Sequence, residues 1–172
     1  MAKVNELTMN ASSTTSASGR RYWLMKNEPD EYSIDHALAA PGQTIAWNGV
    51  RNYQARNFMR DEMQVGDGVL YWHSSCAEPG IYGLARIAGN LRVDPSQFDP
   101  ADPYYDPKSS PDKPRWLTLD VQAERKTRPL RIAELREQPD LAQMRVLQKG
   151  NRLSITPVSE AEWQRIVQLL DS

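Results

Sequence analysis

The sequence predicts an α+β fold in which a small, strongly bent sheet or barrel carries peripheral helices. Short runs with the period-two alternation of strands dominate the chain, and helical segments are inserted between them. The regular strand–helix alternation of a doubly wound parallel sheet is not present in the sequence. Gly80 and Gly83, inside one predicted strand, indicate a bend or bulge of the kind found at barrel corners.

The predicted elements follow from local patterns. Hydrophobic alternation predicts strands, which we place at residues 21–26, 44–47, 67–75, 80–89 and 115–126, with a further strand inside 145–158. Helices are predicted where Ser33, Asn52 and Ser159 can cap an apolar stripe, at residues 33–40, 52–61 and 159–170, with short helical pieces at 130–137 and 140–144. Residues 94–114, the Pro-rich loop, contain too many prolines for a helix or a central strand.

The chain divides into a tail and one domain. Residues 1–20 are rich in Ser, Thr and Ala and poor in large apolar side chains, so they are predicted to be a disordered tail. Residues 21–172 have ordinary globular composition and are long enough to bury one core.

Charge and cysteine content limit the function classes. Lys and Arg total 21 against 22 Asp and Glu, a formal net charge of −1, so any nucleic-acid contact has to be local. Cys76 is the single cysteine, and His36 and His73 are the only histidines, so neither a disulfide nor a zinc-ligand spacing is available. We therefore expect no metal and no cofactor. We also expect a cytoplasmic protein without a membrane partner, because no apolar run approaches the roughly 18 residues of a membrane helix.

The stretch WNGVRNYQARNFMR, residues 47–60, collects aromatic, amide and arginine side chains. If Asn52 caps the helix, Tyr53 and Arg56 lie on its polar face, and Arg51 and Asn52 lie at its amino end, where an anion is favoured. Trp47, at a strand end, can offer a flat face to a planar ligand. Taken alone, this stretch is also typical of a solvated helix face beside a core tryptophan.

Two further segments carry polar groups at strand ends. Lys26, Asn27 and Glu28 follow the first strand and offer an ammonium, an amide and a carboxylate that can donate to and accept from a base edge. LYWHSS places Trp72 and Ser74 on one face of its strand and His73 on the other.

These segments resemble one family. WLMKNEP, WNGVRNYQARNFMR, YWHSSCAEPGIYGLARI, YYDPKS and RLSITPVSEAEW occur in the order and spacing of the EVE domain, from about Tyr22 to the C-terminus. Asn27 stands where the family commonly has serine, and Trp72 where it commonly has tyrosine. The resemblance implies a PUA-like mixed-sheet pseudo-barrel with peripheral helices, similar to the YTH domains that read methylated adenine in RNA.

The resemblance also implies a function and a site. It implies a non-catalytic nucleic-acid-binding module that accommodates a modified base, with modified cytosine in DNA as the expected ligand. Trp47 would stack on the base and Lys26, Asn27 and Glu28 would line its edge. Asn48, Arg51, Tyr53 and Arg56 would build the rim and hold backbone phosphate. The remaining predicted ligand-binding residues are Asn52, Trp72, His73 and Ser74.

Three alternatives use the same residues. An enzyme with Cys76 or a serine as nucleophile and His73 as base is disfavoured, because HSSC matches no known triad signature. An RNA modified-base reader differs from a DNA reader by as little as one contact to a 2′-hydroxyl. A small-molecule or nucleotide sensor could use the same pocket, and near-neutral charge agrees with it.

Overall fold

The computed structural model describes residues 19–172. The predicted disordered tail, up to residue 18, lies outside the described residues. Gly19 and Arg20 lie inside them, and Arg20 Nε donates a hydrogen bond to the Gly66 carbonyl oxygen at 2.9 Å. The domain boundary after residue 20 stays a prediction.

A six-stranded mixed sheet forms the centre of the protein, in the order β2-β5-β4-β3-β1-β6. Strands β1 and β3 are parallel, and the other neighbouring pairs are antiparallel. The α+β class and the mixed sheet with peripheral helices are therefore confirmed. The strands are β1 (Tyr22–Asn27), β2 (Thr44–Ala46), β3 (Gly68–His73), β4 (Gly80–Val93), β5 (Leu117–Arg131) and β6 (Ile155–Val158).

Three helices begin at the predicted caps. Asn52 Oδ1 accepts hydrogen bonds from the backbone N–H groups of Gln54 and Ala55, and Ser33 and Ser159 each form a capping box. The helices are α1 (Pro29–Tyr32), α2 (Ile34–Ala39), α3 (Tyr53–Asp61), α4 (Ile132–Arg136) and α5 (Glu160–Leu170). In residues 19–172, none has the length and apolar character needed to cross a bilayer.

The short helix α1 is absent from the sequence prediction. Pro29 is predicted to end the first strand, and β1 does end two residues before it. Pro29 also occupies the first turn of α1, where its missing N–H would have had no intrahelical acceptor. One proline thus ends a strand and begins a helix.

The sheet buries both of its faces. Side chains alternate along β1, so Trp23 and Met25 pack on one face with residues of α2 and α3, while Leu24 packs on the other face with residues of α5. Alternation along β3 separates Tyr71 and Trp72 in the same way. The sheet is therefore the middle layer between two hydrophobic clusters.

The predicted bend or bulge at Gly80 and Gly83 is a bulge beside Gly83, whereas pairing at Gly80 is regular. The pairing register between β4 and β5 shifts between Ile81 and Gly83. A Cβ on Gly83 would collide with the Ile34 side chain of α2, so glycine lets the helix approach the strand. Strands β4 and β5 extend beyond their predicted ends, because their antiparallel pairing continues to Val93 and Arg131.

Candidate functional site

The pairing of β1 with β3 sets the position of the candidate site. Because these strands are parallel, their carboxyl ends, Asn27 and His73, lie side by side at one edge of the sheet. The next residue, Ser74, donates its N–H to the Asn27 carbonyl oxygen at 3.0 Å. Strand β6 runs antiparallel to β1, so Ser154, which precedes it, reaches the same edge and accepts from Lys26 N–H at 2.9 Å.

A cavity of about 310 Å³ opens at this edge, a volume at the lower end of the range for ligand pockets. Five segments build it: the end of β1 with α1, the residues after β2, the turn after β3, the Pro-rich loop, and the loop before β6. The lining residues are Lys26, Asn27, Glu28, Glu31, Trp47, Asn48, Gly49, Val50, Ser74, Ser75, Tyr104, Arg152 and Ser154.

Trp47 is both a cavity wall and a core residue. Its backbone N–H donates to the Leu119 carbonyl oxygen at 2.8 Å, and its ring meets Tyr71 edge-on with centroids 5.3 Å apart. The side chain is 2% exposed. Truncating it would therefore cost about 3–5 kcal/mol of stability. The stacking role that the resemblance assigns to Trp47 stays a prediction.

Tyr71 links β3 to α1. Its hydroxyl donates a hydrogen bond to the Tyr32 carbonyl oxygen at 2.7 Å. Burial raises the pKa of Tyr71, so the phenol keeps the proton that it donates. The bond holds α1, which carries the lining residue Glu31, against the strand.

The charged residues of the cavity differ in their partners. Burial lowers the pKa of Lys26, whose half-buried ammonium makes no ion pair within residues 19–172. Arg152 is exposed and, among the same residues, likewise makes no ion pair or side-chain hydrogen bond. The exposed Glu28 side chain does not cap α1. The cavity therefore offers two cations and a carboxylate that the described protein does not neutralise.

Tyr104 closes one side of the cavity. Its hydroxyl donates to Glu31 Oε1 at 2.6 Å, which links the Pro-rich loop to α1. Burial and this carboxylate raise the pKa of Tyr104. Gly49 lets the ring approach, because it has φ of +88° and a Cβ there would lie 2.8 Å from the Tyr104 ring.

Arg51 is held by protein acceptors. Its Nε and Nη2 donate to the Tyr104 carbonyl oxygen, its Nη1 to Asp94 Oδ2 and the Val50 carbonyl oxygen, and its Nη2 also to Ser96 Oγ, at 2.7–3.0 Å. These contacts use all the N–H groups of a guanidinium. Arg51 thus ties the Pro-rich loop to the start of α3.

Asp94 and Gln97 complete the order of the Pro-rich loop. Asp94 accepts from the Gly49 N–H and from Ser96 as well as from Arg51. Burial opposes its charge, but these hydrogen bonds together lower the pKa of Asp94. The Gln97 amide donates to the Asp94 and Trp116 carbonyl oxygens, so both ends of the loop are joined.

Half of the predicted ligand-binding residues line the cavity and half do not. Lys26, Asn27, Glu28, Trp47, Asn48 and Ser74 line it; Arg51, Asn52, Tyr53, Arg56, Trp72 and His73 do not. Ligand binding by either group stays a prediction.

Residues of α3 outside the cavity contact other parts of the protein. Tyr53 stacks on Trp116 with centroids 4.8 Å apart, and the Arg56 guanidinium lies 4.8 Å from the Tyr53 centroid. Arg56 also donates to the Arg115 carbonyl oxygen at 2.9 Å. Asn52 is used as the helix cap. The polar face of α3 therefore packs against the end of the Pro-rich loop.

Trp72 and His73 have structural contacts. Trp72 is 2% exposed and belongs to the hydrophobic cluster of α5, on the sheet face away from Trp47. His73 Nε2 accepts from the Ile34 N–H at 3.0 Å, and the ring stacks on Tyr82 with centroids 4.2 Å apart. Burial lowers the pKa of His73, which favours the neutral ring that this acceptor role requires.

Several lining residues were missed by sequence reasoning. Tyr104, Arg152 and Ser154 belong to YYDPKS and RLSITPVSEAEW. These segments resemble the family, but the resemblance predicts no binding role for their residues. Gly49 lies in the WNG turn, where glycine is a signal of close approach. Glu31, Val50 and Ser75 have no comparable local signal.

A solved structure of low sequence identity shows the fold class. The YTH domain of Zygosaccharomyces rouxii MRB1, solved with N6-methyladenosine RNA, has the same fold, with a TM-score of 0.53 at 12% identity over 93% of each chain. The mixed sheet thus belongs to the PUA-like and YTH fold class. The family model of the EVE domain matches residues 21–169, and the chain belongs to this family.

Relatives at higher identity agree with the family. Thymocyte nuclear protein 1 of Danio rerio is 41% identical over an alignment of 165 residues, which covers 86% of this chain and 71% of the relative. The crystal structure of human THYN1 in complex with 5-methylcytosine-containing DNA is similar at a TM-score of 0.82 and 39% identity, over 88% of this chain and 98% of that one.

Replacement of Arg51 by Gln is expected to lower the free energy of unfolding by about 2–4 kcal/mol, because buried Asp94 loses its cation and the Pro-rich loop its anchor. Arg60→Gln is the matched control: Arg60 pairs with Asp61 at the surface, and its loss is expected to cost less than about 0.5 kcal/mol. Urea denaturation measures both. Equal losses would contradict the anchoring role.

Asp94 is expected to make stability dependent on pH. Because its pKa is lower in the folded than in the unfolded state, its contribution is complete above the usual carboxyl pKa of about 3.9 and is lost as pH falls through the folded value. The difference in free energy of unfolding between the wild type and Asp94→Asn should thus shrink below about pH 4. Urea denaturation at several pH values measures it, and a difference independent of pH would exclude the contribution.

Proposed function

We propose that the protein is a non-catalytic nucleic-acid-binding module that accommodates a modified base, with modified cytosine in DNA as its ligand. The observation that carries this proposal is the cavity at the carboxyl ends of β1 and β3, in which an indole wall lies beside an amide, a free carboxylate and a free ammonium. The DNA with 5-methylcytosine bound by human THYN1, a relative of the same family, supports the choice of base and of nucleic acid.

The polar groups suit the edge of a cytosine. Cytosine presents an amino donor beside acceptors on the ring nitrogen and the carbonyl oxygen. Glu28 can accept from the amino group, while Lys26 and Asn27 can donate to the acceptors. Thymine replaces the amino donor with a carbonyl acceptor, which would face the Glu28 carboxylate without a hydrogen bond. The base enters this cavity unstacked, because a base within a duplex is inaccessible to such groups.

The arrangement gives little support to catalysis. Cys76 is free, but His73 uses Nε2 to accept from the backbone of α2 and so does not present that atom to a nucleophile. Residues 19–172 contain no group of three or more His, Cys, Asp or Glu suited to a metal. Binding alone is therefore the proposed activity, and the cytoplasmic location stays a prediction.

Binding to short oligonucleotides tests the function. Each oligonucleotide carries one variable base, either cytosine, 5-methylcytosine, thymine, adenine or N6-methyladenine, in a DNA or an RNA backbone at one stated salt concentration. We expect the tightest binding for modified cytosine in DNA. Preference for the RNA series would favour the RNA reader, and saturation by a mononucleotide with equal affinity would favour the sensor. No dependence on the variable base would contradict the proposal.

Glu28→Gln tests the role of the carboxylate within the cavity. The variant keeps the shape of the side chain and removes its charge, so the preference for cytosine-type bases over thymine should fall by about 1.5–3 kcal/mol, the contribution of a hydrogen bond to a charged group. Glu124→Gln removes a charge from an exposed position on β5, beside Ala123, and should leave the preference unchanged. Equal preferences in all three proteins would exclude Glu28 from base recognition.

A further inference from the structure

We propose that Arg152 contacts a backbone phosphate of the bound nucleic acid at the mouth of the cavity, a role that the resemblance gave to Arg51 and Arg56. This inference rests on the proposed function and adds to it the residue that holds the nucleic-acid backbone. The basis for it is the difference between arginines that already bind other protein groups and Arg152.

The arginines near α3 are largely used by the protein. Arg51 has no N–H group left for a ligand, since all of them donate to protein oxygens. Arg56 lies against the Tyr53 ring and donates to the Arg115 carbonyl oxygen and to Asn57 Oδ1. A phosphate would have to displace these contacts before either side chain could bind it fully.

The Arg152 side chain, in contrast, is available to a ligand. It lines the cavity and is exposed, and within residues 19–172 its side chain makes neither an ion pair nor a hydrogen bond. Most arginines of the described chain have such a partner; Arg145 also lacks one in this range but does not line the cavity. An unpaired guanidinium can bind a phosphate through two parallel hydrogen bonds without breaking any contact seen here.

The backbone near Arg152 is fixed rather than loosely attached. The Ser154 carbonyl oxygen, two residues later, accepts from the Lys26 N–H at 2.9 Å, which extends the β1–β6 pairing into the loop. The Leu153 N–H donates to Asn151 Oδ1 at 3.3 Å. The guanidinium is therefore carried by a segment joined to β1, the strand that ends with Lys26 and Asn27.

The charge distribution gives Arg152 a distinct function. With a net charge of −1, the protein supplies no general attraction for a polyanion, so a local cation has to hold the backbone. Lys26 is half-buried and lies on the side of the cavity that is proposed to contact the base edge, whereas Arg152 is exposed. A nucleotide would then lie with its base towards residues 26–28 and its phosphate towards Arg152.

Arg152→Gln is expected to weaken binding to a single-stranded oligonucleotide by about tenfold, the effect of losing a hydrogen bond to a charged group. The loss should be the same for modified and unmodified bases, because phosphate contacts carry no sequence information. The slope of log affinity against log salt should flatten by about 0.7. Arg152→Lys keeps the charge and should keep the slope.

Two controls make the result specific. Arg86→Gln removes an exposed cation beside Gly68, at the other end of β3, and should change neither affinity nor slope. The nucleoside 5-methyldeoxycytidine has no phosphate, so its affinity, measured by chemical-shift titration, should be equal in the wild type and in Arg152→Gln. Unchanged melting temperatures show that each variant is folded.

The outcomes separate this inference from the proposed function. If the wild type binds modified cytosine but Arg152→Gln keeps its affinity and salt slope, the phosphate role is overturned and the function stands. The role is also overturned if Arg152→Gln loses base preference alone, or if Arg86→Gln has the same effect. If the wild type shows no base-dependent binding, the proposed function itself fails.

Discussion

The ion pair between Arg51 and Asp94 connects the Pro-rich loop to the strand edge where the cavity opens, with Arg51 Nη1 3.0 Å from Asp94 Oδ2. Asp94 is fully buried, so it needs a cation and several donors to remain charged. Arg51 satisfies it and also holds the carbonyl oxygen of Tyr104. Because Tyr104 then reaches Glu31 on α1, one guanidinium supports the side of the cavity that Tyr104 forms.

The pairing of the strands in the sheet determines which other segments meet at the cavity. Parallel pairing brings the ends of β1 and β3 together, and the antiparallel β6 brings the loop of Arg152 and Ser154 to the same place. Ligands commonly bind at the carboxyl ends of parallel strands in open sheets. Here a single parallel pair brings two strand ends together, and hydrophobic clusters cover both faces of the sheet.

Local patterns in the sequence predict much of the fold. Ser33, Asn52 and Ser159 were recognised as helix caps, because the signal for a cap lies within four residues. The cavity segment Lys26–Glu28 could be predicted from polar residues at a strand end. Alternation also placed Trp72 and His73 on opposite faces of β3, although it could not show that Trp72 is covered by α5.

The sequence could not assign the partners of the arginines. Arg51 and Asp94 are separated by 43 positions and Tyr104 and Glu31 by 73, so neither contact leaves a local pattern. An arginine whose partners are distant in the sequence cannot be distinguished, by sequence alone, from an arginine without partners, such as Arg152. The rim was therefore predicted from residue type, whereas the structure separates arginines that organise the fold from one that is free to bind.

Entry of the ligand into the cavity at the ends of β1 and β3 can be tested by nuclear magnetic resonance. Isotopically labelled protein is titrated with a short oligonucleotide carrying 5-methylcytosine, and the changes in backbone amide chemical shift are mapped. We expect the largest changes in residues 26–31, 47–50, 74–75, 104 and 152–154, which contain the lining residues of the cavity. Changes concentrated instead on the exposed half of β4, around Arg86–Val93, with the cavity amides unaffected, would contradict this expectation.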